Sequence, residues 1–271
     1  MEPIVKWAGG KRQLLPELKH RLPNNITRYV EPFIGGGALF FDLNIDNAVI
    51  NDTNKELINV YTSVRDMTDE LLEQLQQLEE QYNSLSFEEQ NTIFYKKREE
   101  YNISISNHNL GVREAALFIF LNKTCYNGLY RVNSTGSYNT PFGQRKHISL
   151  YNENNIRECA ERLRFTRIMC GDFESACKYL RRGSFVYFDS PYYDTFDTYQ
   201  AGGFNEEDHK RLARLFRKLT LQGVNCMLSN SDTTFIRSLY QGYHIETIDV
   251  KRMINCDGKN RSGKEIIVTN Y

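Results

Sequence analysis

The sequence predicts an α/β domain, with a mostly parallel β-sheet covered by helices on both faces and interrupted by a helix-rich insertion. Two observations lead to this prediction. Short runs rich in β-branched and aromatic residues occur near the start of the chain and again in its last third, with helical patterns between several of them. Residues 56–164, which separate the two groups, instead carry long helical patterns followed by a turn-rich basic stretch.

The first group of elements is a strand–helix–strand unit in residues 28–52. The segment "RYVEPFIGGGALFF" predicts a short strand, a glycine turn and a helix, and "AVIN" predicts a second strand that ends at Asp52. Two strands joined by a helix lie parallel in one sheet. This unit therefore begins the predicted sheet.

The second group supplies the remaining strands. Strand character is found in the segments 166–173, 184–192, 225–231, 244–251 and 265–271. Residues 205–223 predict a helix, with acids in the first turn and a glycine at the end. We therefore predict one discontinuous domain of residues 1–55 and 165–271, with residues 56–164 inserted into it.

Composition narrows the class of protein only slightly. The chain of 271 residues has 34 basic and 34 acidic residues, so its net charge does not by itself indicate a nucleic-acid partner. The distribution is uneven, because residues 67–90 hold seven acids and no Lys or Arg, whereas residues 95–146 hold eight bases and three acids. This asymmetry can put a positive surface on one face, although ordinary solvated helix faces explain it equally well.

No segment indicates a membrane span or a secretion signal. No apolar run approaches the roughly 20 residues that cross a bilayer, and the N-terminus "MEPIVKWAGGKRQ" lacks a long apolar segment. The six cysteines form no CxxC pair, and the five histidines do not stand at zinc-finger spacings beside them. We therefore expect a cytoplasmic protein with reduced thiols, no disulfide, no metal and no membrane partner.

The first candidate site is the glycine turn of "EPFIGGGALFF". Gly35, Gly36 and Gly37 stand between a strand and a helix, where glycines let a ligand approach the backbone and the helix N-terminus favours negative charge. The spacing is not the GxGxxG of a dinucleotide site, and a tight structural turn explains the glycines about as often as a ligand does. Asp52 adds weight to the ligand, because an acid at the next strand end can accept hydrogen bonds from both hydroxyls of a ribose.

The second candidate is the N-terminal loop "KWAGGKRQ". It is not a phosphate loop, because Val5 stands where GxxxxGK needs its first glycine and Arg12 replaces the Ser or Thr. Trp7 and Lys11 supply a flat aromatic ring and a cation. They suit a ligand that bears an amino-acid carboxylate.

The third candidate is "SFVYFDSPYY", a predicted strand that runs into an acid, a serine, a proline and tyrosines. Asp189 and the main-chain carbonyl of residue 190 can accept the two N–H groups of an exocyclic amine, which pulls the nitrogen lone pair out of ring conjugation. Tyr192 can stack on the base and stabilise the positive charge that develops when the nitrogen is methylated. Taken alone, "DSPY" is explained equally well as a strand-terminating turn, but the other two candidate sites favour the chemistry.

Together these motifs resemble those of the Dam-type DNA adenine N6-methyltransferases of the alpha class, over nearly the whole chain. The matching segments, in the order typical of that class, are "KWAGGK", "EPFIGGG", "INDTN", "YNGLYRVNSTGSYNTPFGQRK", "GDF", "DSPY" and "LSNS". The resemblance implies a Rossmann-like, S-adenosylmethionine-dependent methyltransferase fold, with a catalytic domain of residues 1–55 and 165–271 and an inserted helical target-recognition domain of residues 56–164. It also implies S-adenosylmethionine as methyl donor, double-stranded DNA as partner, and a target adenine flipped out of the duplex.

The resemblance also implies individual roles. The implied catalytic residues are Asp189, Ser190, Pro191 and Tyr192. The implied cofactor-binding residues are Trp7, Lys11, Phe33, Gly35, Gly37, Asp52, Asp172, Phe173 and Asp189. The implied DNA-binding residues, most of them in the hairpin that reads bases, are Lys6, Asn127, Arg131, Pro141, Arg145 and Lys146. An arginine suits a bidentate contact with guanine, although a phosphate or solvent contact stays open for Arg131. The loop 256–264 is a second candidate for phosphate contact, with a mobile hairpin tip as the alternative.

One position departs from the family pattern Asp-Pro-Pro-Tyr, because Ser190 replaces its first proline. Serine still supplies the carbonyl but lacks the fixed φ of proline, so we expect retained methyl transfer from a less rigid turn. We expect GATC as the recognition site because the hairpin resembles that of GATC enzymes, although residues 193–204 do not follow the continuation typical of them. The alternatives are a DNA cytosine N4-methyltransferase, disfavoured by Asp189, and a catalytically impaired DNA-binding regulator. A restriction endonuclease that cuts the same site is a further candidate partner.

Overall fold

A computed structural model of the chain describes residues 1–43, 45–193, 203–251 and 262–271. Its central sheet has seven strands in the order β3-β2-β1-β4-β5-β7-β6. The strands are β1 (Arg28–Glu31), β2 (Ala48–Asp52), β3 (Thr166–Cys170), β4 (Ser184–Phe188), β5 (Asn225–Ser231), β6 (His244–Lys251) and β7 (Ser262–Thr269). The predicted α/β fold class with a mostly parallel sheet is therefore confirmed.

The strands from β3 to β5 are parallel, and β7 runs antiparallel between β5 and β6. In the middle of the sheet, Tyr29 of β1 pairs with Ala48 of β2 on one side and with Phe185 of β4 on the other. All five residues of β4 are buried, as expected for a parallel strand with both faces covered.

Helices cover both faces of the sheet. They are α1 (Leu15–His20), α2 (Ala38–Asp42), α3 (Lys55–Asp66), α4 (Thr68–Asn83), α5 (Phe87–Ser106), α6 (Val112–Thr124), α7 (Glu153–Arg164), α8 (Phe173–Ala176), α9 (Glu206–Leu221) and α10 (Thr234–Leu239). Because strand side chains alternate, Tyr29 and Tyr187 pack with α1 to α7, whereas Val30 and Val186 pack with α8 to α10.

The inserted segment is organised around α6. This helix is apolar nearly all round its circumference and packs against α3, α4 and α5, so it forms the centre of the insertion. The first and last helices of the insertion, α3 and α7, pack on each other and on β3. One continuous hydrophobic cluster joins the insertion to the sheet, and the division into domains of residues 1–55 with 165–271 and residues 56–164 stays a prediction.

Two predicted strands are too long. The strand expected over residues 184–192 ends at Phe188, because Asp189 begins a turn and Pro191 has no N–H to donate to a sheet. The strand expected over residues 166–173 ends at Cys170, where Asp172 caps α8. The helix expected over residues 205–223 is confirmed as α9.

Among the described residues, no helix is long and apolar enough to cross a membrane, and no three His, Cys, Asp or Glu side chains are grouped to hold a metal ion. The five described cysteines are free thiols.

Candidate active site

Three strands and the glycine turn bring polar groups to one edge of the sheet. Asp52 ends β2, Asp189 directly follows β4, Asn230 and Ser231 end β5, and the glycine turn follows β1. The four strands are parallel, so their carboxyl ends lie together. Open α/β sheets bind their ligands at this edge.

The glycine turn touches the N-terminal loop. Gly35 has a φ of 45°, and a Cβ at this position would lie 2.6 Å from Cδ1 of Trp7. Only glycine therefore lets the backbone pass the indole ring without strain. Gly37 has a φ of 69° and caps α2, where a side chain would press on Phe41 at 3.0 Å. The hydroxyl of Tyr61 donates to the carbonyl of Gly35 at 2.5 Å, so α3 fixes the turn from behind.

Asp52 holds the same turn through its carboxylate. Its Oδ2 accepts from the backbone N–H of Gly35 at 3.1 Å, and its Oδ1 accepts from the N–H of Asn54 at 3.0 Å. Burial raises the pKa of Asp52, and these backbone N–H groups counteract the rise. Each carboxylate oxygen can accept a second hydrogen bond, which leaves Asp52 able to bind a ribose hydroxyl.

Trp7 belongs to an aromatic group that connects the N-terminal loop with α6 and the predicted DNA-reading hairpin. Its ring stacks on Tyr130, with the centroids 5.6 Å apart, and on Phe118 at 6.4 Å. Phe118 is on α6 and Tyr130 is in the predicted DNA-reading hairpin. The predicted cofactor-binding residue Trp7 therefore packs directly on a residue of the predicted DNA-reading hairpin.

Asp189 is held by two donors that both bind Oδ1. Nζ of the buried Lys11 lies 2.6 Å from this oxygen, and Oγ of Ser229 donates to it at 3.0 Å. Burial raises the pKa of Asp189, whereas Lys11 and Ser229 lower it. No described residue donates a hydrogen bond to Oδ2 of Asp189, and about 20% of the side chain is exposed. This oxygen is therefore the acceptor that a ligand can use.

Lys11 also faces the ring of Tyr192, with Nζ 4.5 Å from the ring centroid. It donates to the carbonyl of Gly9 at 2.6 Å. The Tyr192 hydroxyl donates to Glu265 Oε2 of β7 at 2.6 Å, which fixes the ring orientation. Lys11 thus lies at Asp189 and Tyr192, two of the residues predicted to be catalytic, although the sequence indicated it only as a cofactor ligand.

Ser190 and Pro191 form the turn after Asp189. Ser190 is buried, and its Oγ accepts a hydrogen bond from the side-chain amide of Asn230 at 3.2 Å. The Pro191 carbonyl lies 3.5 Å from the same amide nitrogen. The sequence indicated these β5 residues only through the motif "LSNS" and did not predict their contact with the turn.

Phe33 and Phe173 stack with their centroids 5.3 Å apart, near the glycine turn. Asp172 caps α8 and forms an ion pair with Arg211 of α9 at 2.8 Å. The guanidinium of Arg211 lies 4.9 Å from the centre of the Phe173 ring. Arg211 was missed by the sequence reasoning, because its position on a charged amphipathic helix resembles that of any solvated arginine.

The predicted DNA-reading hairpin has an exposed surface. Asn127 is exposed with a φ of 56°, and Pro141 is exposed with its carbonyl bound to the N–H of Tyr126 at 2.9 Å. The exposed Arg131 donates from Nε to Asn139 Oδ1 at 2.8 Å and from Nη2 to the Asn139 carbonyl at 3.3 Å. A planar guanidinium is therefore presented at the surface in a defined orientation.

Asn122 joins this hairpin to the N-terminal loop. Its side chain accepts from the Lys6 N–H at 2.8 Å and donates to the carbonyls of Lys6 at 2.9 Å and of Gly128 at 3.0 Å. The Lys6 side chain lies against Gly128, where a Cβ would meet Lys6 Cδ at 2.5 Å. Asn122 is buried and directly follows the apolar run of residues 115–121, and its polarity at the end of that run was the only available signal for it in the sequence.

Basic side chains cluster beside the hairpin. Burial and the neighbouring Arg145 lower the pKa of Lys6, and burial together with Lys6 lowers the pKa of Lys123. The exposed Lys146 follows Arg145, and its carbonyl accepts from Gln90 at 2.9 Å. Mutual repulsion of this kind indicates a locally positive surface, which suits a polyanion.

Two regions named in the sequence analysis lie largely outside the described residues. Residues 256–261 of the second candidate phosphate loop are among them, as are residues 194–202 of the segment after "DSPY".

A family model of the D12 class N6 adenine-specific DNA methyltransferases matches residues 7–254 of the chain. The chain belongs to this class. The type II methyltransferase M.MjaIII of Methanocaldococcus jannaschii is 40% identical over all of this chain and 99% of its own length. The type II methyltransferase M1.LlaDCHI of Lactococcus lactis is 39% identical over all of this chain and 96% of its own. The retron Ec67 DNA adenine methylase of Escherichia coli is 34% identical over 98% of this chain and 90% of its own.

Membership confirms the predicted resemblance and the predicted reaction class, which is adenine-specific methylation of DNA, and it disfavours the cytosine N4 alternative. Methyltransferases of this class use S-adenosylmethionine and act on DNA. The residues at the sheet edge fit this donor for two reasons. The Gly35 backbone passes within contact distance of Trp7, and each oxygen of Asp52 can still accept a further hydrogen bond.

Proposed function

We propose that this DNA adenine methyltransferase modifies N6 of an adenine flipped out of the duplex, within the sequence GATC. In this proposal Asp189 Oδ2 and the carbonyl of Ser190 accept the two N–H groups of the amine. Tyr192 stacks on the adenine ring, and Pro191 fixes the turn that carries all of these groups. The observation that favours this arrangement most is that both donors to Asp189 bind Oδ1, which leaves Oδ2 for the amine.

Lys11 has a defined part in this mechanism. A carboxyl group with a raised pKa takes up a proton more readily, and the protonated oxygen then donates a hydrogen bond where the mechanism needs an acceptor. The ammonium of Lys11 at 2.6 Å opposes the effect of burial on the pKa of Asp189 and so favours the ionised carboxylate. Ser229 holds the same oxygen, so Asp189 has one orientation in which Oδ2 stays unoccupied by described residues.

S-adenosylmethionine, when bound, supplies the electrophilic methyl group on its sulfonium sulfur. We place its ribose at Asp52 and its amino-acid part at Trp7 and Lys11, beside the turn of Phe33, Gly35 and Gly37. The proposed donor site is completed by Asp172 and Phe173 near the adenine moiety and by Asp189 near the methyl group. The stacking of Phe33 on Phe173 and the cradle of Gly35 against Trp7 support this placement.

We assign DNA recognition to residues 56–164. Arg131 presents its guanidinium for a bidentate contact with guanine, and Asn127 and Pro141 lie exposed near it in the hairpin. Lys6, Arg145 and Lys146 supply positive charge for bases and phosphates. The proposed catalytic domain is then formed by residues 1–55 and 165–271.

The deciding experiment measures transfer of labelled methyl groups from S-adenosylmethionine to two duplexes that differ only by one base pair inside GATC. We expect transfer to the GATC duplex alone, N6-methyladenine as product, and loss of activity by a factor of about 10³ or more in Asp189→Ala, since this change removes a transition-state acceptor. Circular dichroism and thermal unfolding of the variant control for loss of folding, because Asp189 is also assigned to the donor site.

Each other outcome rejects a stated part of the proposal. Equal transfer to both duplexes rejects GATC as the site, and full activity of Asp189→Ala rejects the role of Asp189. Absence of transfer to any DNA by wild-type protein that still binds the donor would favour the DNA-binding regulator.

The cellular setting follows from the same function. We propose a cytoplasmic, DNA-associated enzyme, and a restriction endonuclease of the same specificity as its partner. Plasmid DNA methylated by this enzyme should then resist cleavage by that endonuclease, and cleavage at the normal rate would reject the pairing.

A further inference from the structure

The side chain of Asn230 contacts the turn after Asp189 at three of its residues. Asn230 of β5 is fully buried, and its Nδ2 donates to Ser190 Oγ at 3.2 Å and lies 3.5 Å from the Pro191 carbonyl. Its Oδ1 accepts from the N–H of Tyr193 at 3.1 Å and from the N–H of Ser231 at 2.8 Å. One amide thus contacts the turn at its beginning, middle and end.

The orientation of this amide is fixed by its partners. Backbone N–H groups can only donate, so the end of Asn230 that faces Tyr193 and Ser231 must be the oxygen. The nitrogen then faces Ser190. The residue Ser190 is 2% exposed, and a buried hydroxyl without a partner is costly. Ser190 and Asn230 therefore satisfy each other.

A serine and a proline at position 190 restrain the turn by different means. Proline fixes its own φ covalently and needs no partner, whereas serine leaves φ free unless its side chain is held. In this chain the Asn230 amide holds the Ser190 side chain. The carbonyl of the same residue is the one proposed to accept an N–H of the target amine.

We propose that Asn230 is a positioning residue for methyl transfer, and that its hydrogen bond to Ser190 replaces the restraint that a proline at position 190 would give. The inference rests on the proposed roles of Asp189 and the Ser190 carbonyl. Misplacement of a reacting group by about 1 Å can lower a rate by about two orders of magnitude. A freed Ser190 therefore lowers kcat more than it weakens substrate binding.

The test is a double-mutant cycle of Asn230→Ala and Ser190→Pro, measured on an adenine-containing duplex methylated by the wild type. We expect Asn230→Ala to lower kcat by about tenfold or more in the Ser190 background, with the KM values for donor and DNA changed by less than about threefold. In the Ser190→Pro background the same substitution should lower kcat by about threefold or less, because the ring then restrains φ.

Ser231→Ala is the matched control. Ser231 Oγ donates to the Tyr193 carbonyl at 2.8 Å and lies 3.2 Å from Asn230 Oδ1. It does not contact Ser190, so its effect on kcat should be the same in both backgrounds. Equal Asn230→Ala effects in both backgrounds, or a larger effect with the proline, would overturn the inference. If Asn230→Ala does not fold, as judged by its circular dichroism, Ser190→Ala decides, since it should lower kcat about fivefold and an unchanged kcat rejects the proposal.

Failure of this inference differs from failure of the proposed function. If Asp189→Ala abolishes transfer but the cycle is additive, only the role of Asn230 is lost. If Asp189→Ala stays active, the premise itself is wrong.

Discussion

The proposed catalytic turn and the proposed DNA-reading hairpin are held in opposite ways. In the turn, hydrogen bonds and an ion pair restrain the side chains. Lys11 and Ser229 bind the carboxylate of Asp189, and Asn230 donates to the hydroxyl of Ser190. Four of these five side chains are buried and the fifth, Asp189, is about 20% exposed. The freedom of the reacting groups is therefore small.

At the basic end of the hairpin, the backbone of Arg145 and Lys146 is held and their side chains are exposed. The carbonyl of Arg145 accepts from the hydroxyl of Tyr82, and the carbonyl of Lys146 accepts from Gln90 at 2.9 Å. Both basic side chains are exposed. The fold of the insertion therefore fixes where these residues stand without depending on which side chains they carry.

This difference separates the chemistry from the specificity. A substitution in the turn changes a buried hydrogen bond and with it the geometry of the reacting groups. A substitution on the hairpin surface changes a DNA contact and leaves the core intact. Variants of the turn should therefore lose kcat, and variants of the hairpin should lose discrimination or affinity.

The largest effect that sharpens this comparison is expected for Lys11→Met. Loss of the ammonium raises the pKa of Asp189 further, since the hydrogen bond from Ser229 is then the remaining described contact that opposes burial. The anion is the active form, so the acidic limb of the kcat/KM profile should move to higher pH, and activity at neutral pH should fall by about 100-fold. The measurement is the pH dependence of methyl transfer between pH 5 and 9.

Lys19→Met is the control for this change. Lys19 is an exposed lysine that forms an ion pair with Asp42 at 2.7 Å and does not contact Asp189. Its pH profile should match that of the wild type. An unshifted acidic limb in Lys11→Met, with folding intact, would show that Lys11 does not control the ionisation of Asp189.

A second, smaller effect is expected at the connection between the two regions. Asn122→Ala leaves the buried polar groups of Lys6 and Gly128 without their partner, which should destabilise the protein by about 1–3 kcal/mol. It should also raise the KM for DNA more than it lowers kcat, because the connection of the hairpin to the N-terminal loop is lost. Thermal unfolding and steady-state kinetics on the same preparation measure both effects, and a lower kcat with unchanged KM would contradict it.

The sequence predicted the parts of the molecule whose signals are local. Strand patterns, the glycine turn and the position of Asp52 depend on neighbouring residues, and the sheet edge brings them together as parallel strands require. Asp189 of "DSPY" lies at this edge for the same reason, because it directly follows β4. The roles assigned to them individually stay predictions.

The contacts that the sequence did not predict join residues far apart in the chain. Nζ of Lys11 meets a carboxylate 178 positions away, and Asn230 holds a serine 40 positions away. Such pairs depend on tertiary packing, which neither periodicity nor spacing reports. The Ser190 departure therefore suggested a loosened turn when only its neighbours were considered, whereas the fold supplies a partner for the hydroxyl.

The smallest effects that test the comparison are expected on the hairpin surface, and they should differ between two basic residues. Arg131→Ala should cost about 1–3 kcal/mol of discrimination at one base pair of the site, because a bidentate guanine contact is lost. Lys146→Ala should weaken binding to all duplexes alike and reduce the slope of log K against log salt by about one, as expected for one lost phosphate contact. Competition binding with duplexes substituted at each position, repeated at several salt concentrations, separates the two behaviours. If Arg131→Ala weakens binding to all duplexes equally, its guanidinium contacts phosphate, and base recognition belongs to another hairpin residue. For both variants, kcat on saturating DNA should stay within about twofold of the wild-type value, because neither residue touches the turn.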